Sequence, residues 1–254
     1  MEVIFDSSQQ VFHLRNKKLS YLIQLERFGY VTHLYFGQRL EHYSGIAAYP
    51  RIHRDFEVES VEFGADVRDF SVGNLLYEYS QYNRGDFRHP ALVLRHADGS
   101  TVSDFRYDRH EIVAGSPTLE GLPHAKVDGG QEAVTLKIYL KDALKSLELV
   151  LSYTIFEGQT IVVRSATLYN KGSETSRIEK ISSFQLDLPP RQAELIHLNG
   201  TWARERFVER EAIHHGIKVL DSKRGTSSHH QSPYMAIVAP ETTEHLGQAL
   251  GAQL

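Results

Sequence analysis

Short runs rich in β-branched and aromatic residues, separated by turn sequences, dominate this chain of 254 residues. Apolar and polar residues alternate in VTLKIYLKD (134–142) and nearly so in LELVLSYTIFEG (147–158), and turn sequences such as FEG, NKG and DGG separate the runs. Alternation with a period of two is typical of strands that bury one face. A spacing of roughly 10 to 15 residues per strand, with no helical pattern between, is typical of sandwiches. We therefore predict an all-β fold, a sandwich of two large antiparallel sheets with little helix.

The same pattern continues on both sides of this region. TIVVRSATLYNKG (160–172) and SRIEKISSFQLDLPP (176–190) have the composition of strands that end in turns. FHLRNKKLSYLIQLERFGYVTHLYFG (12–37) is typical of a meander, with turns expected at Lys17–Lys18 and Phe28–Gly29. Hairpin connections of this kind predict antiparallel neighbours.

The composition is that of an ordinary folded protein and excludes several functions. Hydrophobic residues make up 41% and charged residues 24%, enough apolar material for a core. The net charge of −4 provides no basic surface for nucleic acid, and the absence of cysteine excludes disulfides and thiolate metal sites. MEVIFDSSQQ is not a secretory signal, and no apolar run approaches the ~20 residues of a membrane span. We expect one cytoplasmic domain over residues 1–254, with neither nucleic acid nor membrane as partner.

Residues 41–90 interrupt the regular pattern with a dense mixture of charged and aromatic residues. A loop of that length in a compact β domain is usually functional. YPRIHRDF places Arg51, His53, Arg54 and Asp55 beside aromatic residues, and DVRDFS and GDFRHP follow. Planar Arg donors and carboxylates suit the hydroxyl groups of a sugar. The alternative interpretation is a surface loop held by ion pairs.

Other candidate sites are weaker. The adjacent pairs His214–His215 and His229–His230 would point to opposite faces of a strand, and no carboxylate lies at a recognised zinc spacing. Gly115–Gly121 lacks the Lys-Ser/Thr of a phosphate loop. We therefore expect no metal and no cofactor. A catalytic carboxylate pair could come from four acidic residues, although chance proximity is the simpler explanation among 32 acids: Asp104, Asp108, Glu111 and Asp187.

The segment GTWARERFVEREAIHHG (200–216) contains the single tryptophan, Trp202, and fits neither the helical nor the strand period cleanly. If this segment formed a strand, each of its two faces would carry both charged and apolar side chains. A solvated loop would leave the tryptophan unused. The composition therefore indicates a segment that lies against another protein surface.

Several motifs occur in order along almost the whole chain: FHLRNKKLSYLIQLERFGYVTHLYFG, YPRIHRDF, GDFRHPA, ADGSTVSDFRYDRHEI, GSPTLEGLPHAKV, GTWARERFVER and RGTSSHHQSPYMAIV. Together they resemble the N-terminal domain of the bacterial α-galactosidases of glycoside hydrolase family 36. The resemblance implies a β-supersandwich related in architecture to galactose mutarotase. In that family a (β/α)8 barrel and a small C-terminal β domain follow. GQALGAQL resembles the strand that leads toward the barrel, so we expect the chain to be truncated before the linker to the barrel.

The resemblance also implies which part of the activity this chain carries. The family's two catalytic aspartates lie on barrel strands, and its Lys-Trp-Asp nucleophile motif has no match around Trp202. Retaining hydrolysis requires two carboxyl groups about 5 Å apart. We therefore expect the chain alone to be inactive. In the full-length α-galactosidase, which cleaves melibiose- and raffinose-type sugars, it would support barrel packing, tetramer assembly and the rim of the substrate pocket. Without the barrel, Trp202 should be partly exposed.

Two residues are assigned to the sugar by the same resemblance. In family members this domain supplies two residues to the galactose pocket of a neighbouring subunit, and the matching positions are His53 and Arg68. Arg68 fits the family pattern in VRDFS, whereas His53 in PRIHRDF replaces the usual aspartate. The implied partners are a galactoside, the chain's own barrel and other subunits of a homo-oligomer. The alternatives are a stand-alone carbohydrate-binding module and, less favoured, a mutarotase-like enzyme.

Overall fold

The computed structural model describes residues 1–43, 45, 63–64, 67, 69–82, 85–127, 132–142, 144–188 and 191–254. Strands dominate these ranges, and they pair antiparallel, so the predicted all-β fold is confirmed. The strands are β1 Glu2–Asp6, β2 Val11–Arg15, β3 Leu19–Leu25, β4 Val31–Gln38, β5 Leu92–Arg95, β6 Phe105–Ala114, β7 Ala133–Asp142, β8 Leu147–Phe156, β9 Val162–Asn170, β10 Arg177–Ile181, β11 Glu194–Thr201, β12 Arg204–Ala212, β13 Gln231–Val238 and β14 Ala249–Gln253.

The chain divides into two compact units, Met1–Leu188 and Pro189–Leu254. The first unit contains two four-stranded meanders, ordered β1-β2-β3-β4 and β6-β7-β8-β9, and a small sheet of β5 and β10. The second unit contains one four-stranded sheet, ordered β12-β11-β13-β14. The boundaries of a single domain over residues 1–254 stay a prediction.

The core of the first unit lies between its two meanders. The predicted runs 134–142 and 147–158 form β7 and β8, and β8 is buried along nearly its whole length. Burial of both faces explains why the alternation in β8 is incomplete, since a central strand has no solvent face. The core cluster combines side chains of both meanders, including Phe12, Leu14, Tyr21, Ile23, Leu136, Ile138, Leu149, Leu151 and Tyr153.

The expected turns lie where the sequence placed them. Lys17 and Lys18 separate β2 from β3, and a short 3-10 turn at Arg27–Gly29 separates β3 from β4. Phe28 and Gly29 both adopt positive φ, at 64° and 84°. Glycine reaches this region without strain, whereas Phe28 is held there by its neighbours.

An irregular segment, Leu75–Gln81, runs along the outer edge of β4. The backbone N–H of His33 donates to the carbonyl of Leu76 at 2.8 Å, and that of Glu78 donates to the carbonyl of Val31 at 3.2 Å. Farther on, Gln81 forms a single bridge with Leu92 of β5. The segment therefore occupies the edge of β4 that is not paired with β3.

In the second unit, β11 and β12 form a hairpin that the periodicity did not predict. The turn consists of Trp202 and Ala203, and Ala203 has a φ of 62°. The register shifts between Asn199 and Thr201, and Arg206 adopts a φ of 55°, so a bulge follows the turn. Trp-Ala is not one of the sequence pairs that mark a two-residue hairpin, and the bulge disturbs the alternation.

We expect Gly200→Ala to destabilise this hairpin. A Cβ at Gly200 would overlap the backbone carbonyl of Arg204, which cannot rotate away as a side chain could. Overpacking of this kind costs about 1–3 kcal/mol, which urea unfolding followed by circular dichroism should resolve. Gly251→Ala is the matched control, because its Cβ would meet only the ring of Tyr234, at 3.3 Å. Equal losses in the two variants would contradict a special role for Gly200.

Candidate functional site

The two residues assigned to sugar contact, His53 and Arg68, lie outside the described residues. The residues on either side of Arg68 are described, and they contact the first unit. Phe63 and Phe70 belong to a buried aromatic cluster, which we call the rim anchor: Tyr30, Phe63, Phe70, Val72, Leu75 and Tyr77, with Phe28 packed against it.

The rings of the rim anchor contact one another directly. Phe63 lies 4.4 Å from Phe28 and 5.2 Å from Phe70, measured between ring centroids. Tyr30 stacks on Phe70 at 5.9 Å. Aromatic pairs at such distances contribute about 0.5–1.5 kcal/mol beyond their burial. Both ends of the segment that contains Arg68 are therefore fixed to the turn before β4.

Two arginines cover the rim anchor. The guanidinium of Arg106 lies 5.4 Å from the ring of Tyr30 and 5.7 Å from that of Phe63. The guanidinium of Arg27 lies 5.4 Å from the ring of Phe70 and pairs with Asp69 at 2.8 Å. A guanidinium over an aromatic face is attracted by the ring quadrupole. These contacts orient the residues on either side of Arg68 from the β3–β4 turn and from β6.

Asp104 completes this arrangement. Its carboxylate accepts hydrogen bonds from the Tyr30 hydroxyl, at 3.0 Å, and from Nε of Arg106, also at 3.0 Å. Burial and the charge of Asp104 raise the pKa of Tyr30 well above its ordinary value. Tyr30 is therefore a neutral hydrogen-bond donor, and Asp104 is a structural carboxylate.

A second polar centre lies deeper, at Glu78, whose side chain is fully buried. Its carboxylate accepts hydrogen bonds from the hydroxyl of Tyr21, at 2.8 Å, and from that of Tyr153, at 3.1 Å. Nδ1 of His33 lies 2.8 Å from the carboxylate, and Arg164 pairs with it at 2.8 Å. These groups come from β3, β4, β8 and β9, so the network joins both meanders to the Leu75–Gln81 segment.

The charges of this network are fixed by their mutual contacts. Burial alone would raise the pKa of Glu78, but the charge of Arg164 and the hydrogen bonds from His33 and Tyr21 leave it lowered. Burial, together with the charge of Glu78, raises the pKa of Tyr21 and Tyr153 far above the ordinary value. Burial alone would lower the pKa of Arg164, but the nearby charge of Glu78 raises it. Glu78 is thus an ionised structural anchor, closed to substrate.

The segment that follows β10 reinforces the position of Leu75–Gln81. Asp187 accepts the backbone N–H of Tyr77 at 3.0 Å, and Gln185 accepts that of Ser80 at 2.7 Å. Sequence reasoning missed both Glu78 and Arg164 as key residues. The available signal was a single charge inside each of two apolar runs, LLYEYSQY and IVVRSATL, because a buried strand carries a charge only when it is paired.

The four acidic residues considered as a catalytic pair are all held by structural contacts. Asp108 pairs with Lys141 at 2.8 Å and Arg109 at 2.9 Å, and Glu111 accepts the hydroxyl of Tyr139 at 3.0 Å. Asp104 accepts a hydrogen bond from the hydroxyl of Tyr30, and Asp187 accepts one from the backbone N–H of Tyr77. These contacts support the simpler interpretation, in which the four carboxylates are parts of the scaffold.

The His229–His230 pair likewise makes structural contacts. The carbonyls of His229 and His230 accept the backbone N–H groups of Arg206 and Gly200, at 2.9 and 3.0 Å, and so support the β12 bulge. In the part of the chain that the structure describes, no group of three His, Asp or Glu side chains is arranged to hold a metal. Among the helices of the same part, none has the length and apolar character to cross a bilayer.

The second unit contains an open groove of about 940 Å³ beside β11 and β12. At its base the buried His197 contacts Glu211 at 2.9 Å, and Lys218 pairs with the same carboxylate at 2.7 Å. Phe207 and several hydroxyl and amide side chains line its walls, including Asn199, Ser222, Thr226, Ser227 and Gln231. Trp202 at the hairpin tip is 86% exposed, which confirms that the tryptophan is exposed in this chain.

Comparison with known proteins supports one family from sequence and from structure. α-Galactosidase AgaA of Geobacillus stearothermophilus is 42% identical over 251 residues, which cover 99% of this chain and 34% of that protein. Mel36A, an α-galactosidase of Lactobacillus acidophilus, is 42% identical over 98% of this chain and 34% of its own length. The chain therefore spans about a third of the length of these relatives.

Solved structures agree with this similarity. The crystal structure of AgaB, a family 36 α-galactosidase from Geobacillus stearothermophilus, superposes with a TM-score of 0.91 and 40% identity, covering 99% of this chain and 34% of that one. A variant of AgaA in complex with raffinose superposes with a TM-score of 0.88 and 42% identity, covering 95% of this chain and 33% of that one. A family model described as the glycosyl hydrolase family 36 N-terminal domain matches residues 29–254. On this evidence the chain belongs to the family of glycosyl hydrolase family 36 N-terminal domains.

Proposed function

We propose that this chain is the non-catalytic N-terminal domain of a cytoplasmic α-galactosidase that removes terminal α-galactosyl residues from melibiose- and raffinose-type sugars. The observation that carries the proposal is the family match over residues 29–254 in a chain that spans about a third of its α-galactosidase relatives. Related family 36 structures contain raffinose and stachyose, which indicates the substrate class.

The non-catalytic role is supported by the state of the carboxylates. Glu78, the most deeply buried of them, is ionised and held by four polar side chains. A general acid needs a carboxyl that is protonated near working pH and can reach the substrate. Glu78 meets neither condition, and the acidic residues on the surface of β6 are committed to ion pairs and hydrogen bonds.

The pocket-rim role is supported by the rim anchor. Residues that contact a substrate must be held close to their productive positions, which requires firm attachment at both ends of a loop. Phe63 and Phe70 provide that attachment for the segment containing Arg68. We assign His53 and Arg68 to the galactose pocket of a neighbouring subunit in a tetramer.

The packing role is supported by apolar surface on the second unit. Large apolar side chains are exposed there in number, which marks a surface that contacts another protein. They are Trp202, Phe207, Val208, Ile213, Ile217, Val219, Leu220 and Leu246. We propose that the catalytic barrel covers part of this surface in the assembled enzyme.

A stand-alone carbohydrate-binding module is the second candidate, and the groove of the second unit favours it. The groove has a volume of about 940 Å³ and combines an aromatic ring, Phe207, with hydroxyl and amide groups. Calorimetric titration of the 254-residue chain with raffinose distinguishes the two. Binding that Phe207→Ala abolishes would favour the module.

We expect the 254-residue chain to show no hydrolysis of 4-nitrophenyl α-galactoside, because retaining hydrolysis requires a carboxyl pair that its structural carboxylates do not supply. The full-length polypeptide that carries the chain should be active and should sediment as a tetramer. Hydrolysis by the purified chain that Asp104→Asn abolished would contradict the proposal.

Within that full-length enzyme, Arg68→Ala should lower kcat/KM for raffinose between tenfold and more than a hundredfold, because a contact to sugar hydroxyls contributes about 1–3 kcal/mol. His53→Asp, which restores the usual family residue, should leave activity unchanged or raise it. Arg177→Ala, at an exposed position of β10, is the control. If Arg68→Ala instead lowers the Tm and spares activity per folded molecule, Arg68 is a structural residue.

A further inference from the structure

We propose that Phe87 is an additional rim residue, an aromatic platform for the sugar units beyond the galactose of an oligosaccharide substrate. The proposal rests on the proposed function, since it concerns the same substrate pocket. It is carried by three observations: the exposure of the ring, the rigidity of the turn that presents it, and the contact of that turn with the rim anchor.

Phe87 is 91% exposed, although it directly follows Asp86, which is 2% exposed. An isolated apolar side chain on a surface is ordinary. A phenyl ring that projects from a rigid turn is different, because its position is defined before any partner arrives. Binding to such a group loses little conformational entropy.

The rigidity comes from Asp86 and Arg88, on either side of Phe87. Asp86 is 2% exposed, and its carboxylate accepts Nε and Nη2 of Arg88, each at 2.9 Å, and the backbone N–H of Arg88 at 3.1 Å. This fork-to-carboxylate geometry is strong and directional. Arg88 also lies 3.6 Å from Asp187, which holds the backbone of Tyr77. The two residues that flank Phe87 are thus held to each other and, through Arg88, to Asp187, whereas Phe87 itself is exposed.

The turn lies directly against the rim anchor. The guanidinium of Arg88 lies 5.6 Å from the ring of Tyr77, a member of that cluster. Gly85 packs against Val72 so closely that a Cβ at Gly85 would lie 3.1 Å from a Val72 methyl group. A Cβ at Gly73 would lie 3.1 Å from the Gly85 carbonyl. Phe87 therefore projects from a turn that packs directly against the rim anchor.

The chemistry of the ring suits a sugar face. A phenyl group offers an apolar, electron-rich surface and no hydrogen-bonding atom. The C–H face of a pyranose carries partial positive charge and pairs with such a surface through weak contacts. An aromatic surface of this kind can contact different sugars. Phe87 would therefore increase the affinity for longer oligosaccharides and would not determine which glycosidic bond is cleaved.

The test is the specificity of the full-length enzyme with Phe87→Ala. We expect KM for raffinose and stachyose to rise about three- to tenfold with kcat unchanged, since aromatic contacts contribute roughly that factor. KM for methyl α-galactoside and the inhibition constant of 1-deoxygalactonojirimycin should stay within a factor of two, because neither has a further sugar unit or an aromatic aglycone that could contact the ring. Phe87→Tyr should restore the KM values. Leu144→Ala, at an exposed position of the β7–β8 turn, is the control and should change none of them.

The outcomes separate this inference from the proposed function. An unmutated enzyme that hydrolyses no α-galactoside would overturn the proposed function, and the platform with it. An active enzyme whose Phe87→Ala variant keeps its KM for raffinose would overturn the platform alone. Loss of the oligomer on light scattering, or equal losses on all substrates, would instead make Phe87 a contact between protein surfaces and also overturn the platform.

Discussion

Arg164→Met should destabilise the first unit by about 3–5 kcal/mol, because it leaves the carboxylate of Glu78 buried and charged without its cation. Urea unfolding monitored by circular dichroism measures the loss. Arg164 also donates to the carbonyls of Gln185 and Glu78, at 2.5 and 3.0 Å, so its removal leaves backbone acceptors unpaired as well. Buried acceptors without donors add to the cost.

Two further variants test this explanation. Glu78→Gln combined with Arg164→Met should recover part of the stability, because a buried pair replaced as a whole costs less than one broken at one side. Arg95→Met is the matched control, since Arg95 pairs with Glu179 at 2.6 Å on the exposed surface. Surface pairs contribute about 0–1 kcal/mol. If the Arg164 and Arg95 variants lose equal stability, the buried network is not the main anchor of the unit.

The same network predicts a dependence on pH. The pKa of Glu78 is lowered in the folded state, because Arg164, His33 and Tyr21 outweigh the effect of burial. A group with a lowered pKa contributes stability that is complete above its unfolded pKa and is lost as the pH falls through its folded pKa. Glu78→Gln should therefore reduce the loss of stability between pH 5 and acid unfolding. An unchanged acid-unfolding profile would contradict this assignment.

Phe70→Ala should destabilise the first unit by about 3–5 kcal/mol and loosen the attachment of the segment that contains Arg68. Phe70 is buried, stacks on Tyr30 and contacts Phe28 and Phe63, so its truncation leaves a cavity in the rim anchor. Besides the lower free energy of unfolding, trypsin cleavage within residues 41–68 under native conditions should accelerate. Local opening is easier where buried contacts are lost.

Tyr169→Ala provides the comparison for an aromatic residue of the same unit. Tyr169 lies on β9, is partly exposed and contacts Lys171, so its truncation should cost less than about 1 kcal/mol and leave trypsin cleavage unchanged. An unaltered cleavage rate in Phe70→Ala, despite lower global stability, would show that the rim anchor does not hold this segment.

Local sequence determined most strands of the first unit, and sequence motifs indicated the family. β7 and β8 could be predicted because alternation and turn residues act over a few positions, and hairpins pair neighbours in the chain. The turns at Lys17–Lys18 and Phe28–Gly29 followed from the same local rules. His53 and Arg68 came from family motifs, and they stay predictions, because both lie outside the described residues.

Tertiary structure alone decided how the polar groups are used. Glu78 meets Tyr21 and Tyr153, which lie 57 and 75 positions away in the chain, and no local pattern encodes such a contact. The β11–β12 hairpin was missed because a bulge breaks the period of two and because Trp-Ala lacks a turn signature. Phe87 was noted only as part of a motif. Its turn is fixed because Asp86 pairs with Arg88, and Arg88 reaches Asp187 and the ring of Tyr77, which only the packed fold brings within reach.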